Sequence, residues 1–232
     1  MEYLKVYNFN NKIRLGSNGD GGYVIGKIKG IYDCYISAGV SDEESFSRDF
    51  INMYKMNKFN SYAFDGTINN YPYKYTKNIT FVKKNINTFI DEKNVNLSNL
   101  MNYYNDIFLK MDIEGYEIPW LLSLSIDNLN KFKQITMEIH GLNDDSFGFT
   151  KENKIECLKK LSNSHYLIHA HANNYNSVKN KIPDVLELTY IRKNYFDKEP
   201  LLNKIKLPIV GLDYKNSLLF PEINLNYIPF VN

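Results

Sequence analysis

The chain has 232 residues, of which 44% are hydrophobic and 23% charged, and its formal net charge is +2. That is the profile of a globular protein with length for one large domain or two small ones, and folding at this size buries about 70% of the extended surface without covalent staples. Two cysteines, Cys34 and Cys157, exclude a disulfide scaffold and a four-thiolate zinc site, and near-neutral charge opposes nucleic-acid binding.

No apolar run reaches the ~18 residues of a membrane span. The opening Met1-Glu2-Tyr3-Leu4-Lys5 lacks the basic and apolar regions of a signal peptide, so a cytoplasmic location is expected. Asn makes up about one residue in seven, and this excess carries no functional weight outside Asn173 and Asn174.

In chain order, short apolar runs alternate with helix-length segments. Strands are expected at residues 33–38, 60–64, 79–83, 107–113, 134–139, 166–170 and 185–191, and a strand-rich tail follows. Helices are expected at 42–56, 88–103, 118–130 and 151–163. Strands separated by helices imply βαβ units and a mostly parallel sheet. With no linker, repeat or charged block, the expectation is one α/β domain over residues 1–232.

The glycine-rich segment Gly16-Ser17-Asn18-Gly19-Asp20-Gly21-Gly22-Tyr23 precedes Val24-Ile25. It reads either as a hairpin turn or as a loop approaching a ligand, with Asp20 offered to a cation or amine. The first strand then enters a tight turn, Ser37-Ala38-Gly39-Val40-Ser41. Ser41 and Glu44 have the spacing of a capping box, and Phe46, Phe50 and Met53 recur at i, i+4 and i+7 as a buried stripe. A glycine at such a turn lets a ligand approach the backbone. A dinucleotide pyrophosphate wants several glycines and a clear helix N-terminus, whereas Asp42, Glu43 and Glu44 crowd this one. A nucleoside without phosphates fits better, and S-adenosylmethionine is one that carries a sulfonium cation.

Asp65 ends the second strand, 26 residues after Gly39. An acid there can accept both ribose hydroxyls; alternatively it belongs to an Asp65-Gly66-Thr67 turn. In the fourth segment, Lys110, Asp112 and Glu114 alternate onto one face and Gly115 ends the strand. In the fifth, Thr136, Glu138 and His140 share a face; in the sixth, His169 and His171 do, with Asn173 and Asn174 just beyond.

The string Leu109-Lys110-Met111-Asp112-Ile113-Glu114-Gly115-Tyr116-Glu117 resembles the LKxDxEGxE signature of FkbM-type S-adenosylmethionine-dependent methyltransferases. Asp20-Gly21-Gly22-Tyr23, the 36–41 turn, Phe64-Asp65, Met137–His140 and His169–Asn174 occur in the order of the same superfamily, nearest its DGGY-containing branch. The resemblance spans roughly residues 14–176. It implies a Rossmann-like class I methyltransferase fold with a seven-stranded sheet, bound S-adenosylmethionine, O-methylation of small molecules or sugars, and a homodimer. Ser37 and Ala38 stand where many methyltransferases carry an acid and a glycine.

Asp20, Gly21, Gly22, Ser37, Ala38, Gly39, Asp65, Gly66 and Asp112 are therefore the expected cofactor contacts. Adjacent fourth and fifth strands would bring Asp112, Glu114, Glu138 and His140 together as the catalytic group. A sugar hydroxyl is a poor acid, so a base or a metal is required; His140 is the first choice of base, with Asp112 or Glu138 orienting it or replacing it. Asp112, Glu138 and His140 are also a ligand set for Mg or Mn, with Asp144 and Asp145 nearby. His169, His171, Asn173 and Asn174 are expected to bind the acceptor, read as a sugar or nucleotide-sugar of surface polysaccharide synthesis. Loops 65–78, 141–150 and 172–183 would shape its pocket. The alternatives are a methyltransferase of another small molecule that uses a divalent metal, and a nucleotide-dependent oxidoreductase on the same sheet, the latter weakened by the missing glycine triplet.

Overall fold

The computed structural model describes residues 2–143 and 149–232. Asp144, Asp145 and the middle of the 141–150 loop lie outside the described residues.

Seven strands form the central sheet: β1 (Cys34–Ala38), β2 (Ser61–Phe64), β3 (Thr80–Val82), β4 (Ile107–Met111), β5 (Phe132–Ile139), β6 (His165–Ala172) and β7 (Leu186–Arg192). Their order across the sheet is β3-β2-β1-β4-β5-β7-β6. The first five run parallel to their neighbours, and β7 is inserted antiparallel between β5 and β6. This is the Rossmann-like α/β architecture implied by the resemblance. An antiparallel hairpin, Lys12–Leu15 with Tyr23–Gly26, precedes the sheet.

The central strands are apolar on both faces because both faces are covered. Cys34, Ile36, Leu109 and Met111 point into one core with Trp120, Leu121 and Leu161. Tyr35, Phe108 and Ala63 point into the other, which contains Phe46, Phe50 and the hairpin residues Tyr23 and Ile25. In that second core, rings stack closely, with Tyr35 and Phe50 centroids 4.6 Å apart and Phe50 and Phe108 4.2 Å apart.

Among the described residues five α-helices accompany the strands: α1 (Ser45–Tyr54), α2 (Ser98–Tyr103), α3 (Glu117–Ser123), α4 (Ile126–Leu129) and α5 (Lys151–Ser164). Each departure from the sequence expectation has a local cause. Helix α1 starts later than residue 42 because Ser41 is left-handed, with φ 50°, and no Ser41–Glu44 capping box forms. Asp65 takes the Val40 and Ser41 N–H groups instead. Met53 is exposed; Ile51 is buried in its place, and the last turn faces inward through Tyr54, whose ring meets Phe50 and Tyr32.

The helix expected at 88–103 shrinks to its last turns. Upstream, Asp91 accepts the Lys93 and Asn94 N–H groups, Asn87 accepts that of Thr88, and Asn94–Val95 pairs with Asn85–Ile86. Such local side-chain bonds compete with a helix for the backbone. The helix expected at 118–130 breaks at Leu124–Ser125, where Ser125 is extended and caps α4 by accepting the Asn128 N–H. The strand-rich tail does not form: beyond β7 the described residues make only the isolated bridges Tyr7–Leu202 and Val210–Asp213. Asn203 and Asn226 side chains accept the Ile205 and Leu207 N–H groups there, taking the place of ladder bonds. Within that tail, residues 227–230 form a turn with Phe230 buried.

No helix of the described residues is long and apolar enough to cross a membrane.

Candidate functional site

The parallel register aligns Ala38 with Phe64 and Met111, and Met111 with Met137. Every segment that follows these positions therefore emerges at one edge of the sheet. A cavity of about 560 Å³ opens there, lined by Asp20, Asp42, Glu43, Asp65, Asp112 and Glu114, with Lys110 as the one cation among the described lining residues. Open α/β sheets bind ligands at this edge.

Gly39 lines the cavity, but its missing side chain serves the protein. Its φ is +78°, and a Cβ would lie 1.6 Å from the Asp112 carbonyl oxygen. The glycine lets β1 and β4 close up, and the Lys110 ammonium donates to the Gly39 carbonyl at 2.6 Å. Asp65 Oδ2 accepts from Val40 and Ser41 N–H at 3.0 Å each, while Oδ1 accepts from the Thr67 N–H and hydroxyl. Burial opposes the charge, but these hydrogen bonds outweigh it and hold the carboxyl below its usual range.

Asp20, Gly21, Gly39, Asp65 and Asp112 face the cavity. Ser37 is turned away: its hydroxyl donates to Glu44 at 2.9 Å. Glu44 also accepts from Ser47 and Tyr71, so this acid, expected at a helix start, is a buried anchor. Ala38 is buried in the core, and Gly66, which does not line the cavity, donates to the lining residue Asn85. Gly22 packs its backbone against Ser17 and Arg14.

Past β4, Glu114 has φ 56°, and its side chain is exposed beside the buried His140 ring. His140 Nε2 lies 3.5 Å from Glu114 Oε2 and 3.9 Å from Asp112 Oδ1. Its Nδ1 lies 3.3 Å from Glu117 Oε1. Burial alone would lower the imidazole pKa, but Glu117, Glu138 and Asp112 win and raise it to about 9. Glu117 is fully buried and also accepts the Ile113 N–H at 2.8 Å. Sequence reading assigned Glu117 no role, although it closes the nine-residue motif; its place in that string was the available signal.

Glu138 lies outside the close cluster of Asp112, Glu114 and His140, although its carboxyl still acts electrostatically on His140. It accepts from Asn173 at 2.7 Å and sits opposite Glu187 in the β5–β7 register. Burial, Asp112 and Glu187 push its carboxyl well above the usual range. His165 is held by the Ser164 hydroxyl and the Phe132 carbonyl, whereas His169 and His171 are held by acids that sequence reading missed. His169 Nε2 pairs with Asp213 at 2.8 Å. His171 sits between Glu187 at 3.0 Å and Glu222 at 3.2 Å. Asn174 binds the Ser217 and Phe220 carbonyls, and Asn216 bridges Glu187 and Asp20. His169, His171 and Asn174 are thus tied to the segment 213–222. No local pattern links a residue to a partner 40 or more positions away, which is why these pairs were not legible.

A family model described as the methyltransferase FkbM domain matches residues 5–175. The chain belongs to the FkbM methyltransferase family. The matched span contains the hairpin, β1 to β6 and every residue lining the cavity, and leaves β7 and residues 193–232 beyond it. Among solved structures, a chain of a fibrillarin/Nop5p complex is similar, with 11% identity, 69% of this chain and 72% of that chain covered, and a TM-score of 0.42. That likeness carries no weight beside the sheet order and the family match. A search of curated proteins gave no significant match.

Proposed function

We propose that this methyltransferase uses S-adenosylmethionine to methylate a hydroxyl group of a small acceptor of the sugar or nucleotide-sugar class. The observation that carries the reading is the charge of the cavity. Asp20, Asp42, Glu43, Asp112 and Glu114 surround a space at the carboxyl edge of a doubly covered sheet. A pyrophosphate placed there meets repulsion, while a nucleoside bearing a sulfonium and an ammonium meets opposite charge. Asp20 and Gly21 on the hairpin loop, Gly39 and Asp65 on the β1 and β2 turns, and Asp112 after β4 would hold it. The donor supplies an electrophilic methyl group.

The chain's own residues do the rest. Asp65 fixes the 40–41 turn; its four accepted bonds mean that the Thr67 hydroxyl must yield before a ribose hydroxyl is taken. Asp112 reaches the cavity and is the proton acceptor we assign. Tyr23, whose hydroxyl donates to Asp112 Oδ2 at 3.2 Å, fixes its orientation. His140 Nε2 lies beside Asp112 and Glu114. Positioning of acceptor and donor can contribute about 7–11 kcal/mol, and a placed base about 10²–10⁴-fold. The sugar preference rests on Asn85, Asn87, Asn94 and Tyr116 around the cavity, groups suited to hydroxyls and a sugar ring. Surface polysaccharide synthesis, a cytoplasmic setting and a homodimer belong to the same reading.

Titration calorimetry with S-adenosylmethionine tests the cofactor: saturable binding is expected, and none at millimolar concentration overturns the reading. A nucleotide-sugar screen then identifies the acceptor. Asp112→Asn is expected to lose about 10²–10⁴-fold in turnover with unchanged circular dichroism; wild-type rates would remove Asp112 from the site.

A further inference from the structure

We propose that Asp112, Glu114 and His140 form a divalent-cation site of the magnesium or manganese class, with Glu117 orienting the histidine. The site stands on its own donor geometry; only its use in methyl transfer rests on the function proposed above.

One ligand atom from each of the three residues lies within 4.8 Å of the other two. His140 Nε2 is 3.5 Å from Glu114 Oε2 and 3.9 Å from Asp112 Oδ1. A cation bonded at about 2.1 Å separates adjacent ligands by roughly 3 Å and opposite ligands by roughly 4.2 Å, so small side-chain rotations close the set. Two hard carboxylates with one imidazole suit manganese or magnesium better than a thiolate-seeking metal.

A second observation is independent of the three ligands. Behind the ring, Glu117 Oε1 faces His140 Nδ1 at 3.3 Å, and Glu117 is fully buried. Its other oxygen, Oε2, is buried without a hydrogen-bond partner. A carboxylate placed on the far nitrogen of a ligating histidine fixes the ring and strengthens it as a donor. A cation on Nε2 would place positive charge across the ring from that buried carboxylate. The front of the site is open: Asp112 and Glu114 both line the cavity, and the Glu114 side chain is 81% exposed. Remaining coordination positions therefore face the space assigned to the acceptor, where a cation would lower the pKa of a bound hydroxyl.

The test is a manganese titration followed by electron paramagnetic resonance, on full-length protein stripped with EDTA and without S-adenosylmethionine. One Mn²⁺ per chain is expected, displaced by excess magnesium. Glu114→Gln changes an exposed side chain, so the fold persists; it is expected to weaken binding at least tenfold. Glu117→Gln is expected to weaken it about 10–100-fold through the histidine alone. Absence of saturable binding at millimolar Mn²⁺, or binding that Glu114→Gln and His140→Ala leave unchanged, overturns the site. Calorimetry with S-adenosylmethionine on the same stripped protein separates the two readings. If the nucleoside binds and Mn²⁺ does not, the carboxylates serve its cationic groups alone and only the metal site falls.

Discussion

At Gly39 the residue type is imposed by a neighbouring strand. With φ +78° and the Asp112 carbonyl where a Cβ would project, any side chain forces β1 and β4 apart. Gly39→Ala is expected to destabilise the protein by about 2–4 kcal/mol, from left-handed strain plus overpacking. A urea midpoint and slope measured beside wild type check this; an unchanged midpoint would mean that the turn relaxes freely. The glycine was legible in the sequence as a strand-to-helix turn. What it accommodates was not, because the Asp112 carbonyl comes from a strand over 70 positions away. Asp65 shows the same division. Its place at the end of β2 and its turn with Thr67 were readable, but its commitment to the Val40 and Ser41 N–H groups was not.

Among the elements, strands were more legible than helices. All seven sheet strands fall within two residues of their expected ends, because burial on both faces writes short apolar runs into β1 and β4. Helices failed where polar side chains captured the backbone, as Asp91 and Asn87 do before α2 and Ser125 does between α3 and α4. Helix α5 carries a cap that the sequence reading missed, because its third residue is Asn where Glu or Gln is the usual signal. Thr150 accepts the Asn153 N–H, and Asn153 returns a bond to the Thr150 N–H. Thr150→Ala is expected to cost about 1 kcal/mol, within a range of roughly 0.5–2, read as a lower denaturant midpoint with unchanged slope. A neutral result would show that the N-terminus of α5 is held by packing alone.

For the whole molecule, the antiparallel insertion of β7 sets the electrostatics of the far side of the site. It turns the start of β7 toward the carboxyl edge, so Glu187 meets Glu138 on one side and His171 on the other. Segment 213–222 then adds Glu222 to His171 and Asp213 to His169. Burial pulls the His171 pKa down, but Glu187, Glu222 and Asp213 overcome it and raise the value to about 10. The unfolded value is about 6.5. The stabilisation from this cation is therefore complete below about pH 6.5 and is lost as pH rises through about 10. Unfolding free energy is expected to fall across that interval, and His171→Gln is expected to flatten the fall. An identical pH slope in the variant would place the proton elsewhere.

The sequence by itself determined the strand–helix alternation, the glycine turn, the acid after the second strand and the nine-residue motif after β4. These follow from near-neighbour chemistry, where periodicity, turn residues and short spacings act within one element. Only the tertiary structure decided that Glu138 turns to Asn173 and sits opposite Glu187. It also decided that Glu117 stands behind the histidine, and that segment 213–222 supplies partners to β6 and β7. Those pairings depend on which strands become neighbours and in which direction, and that is settled by burying both faces of one sheet at once.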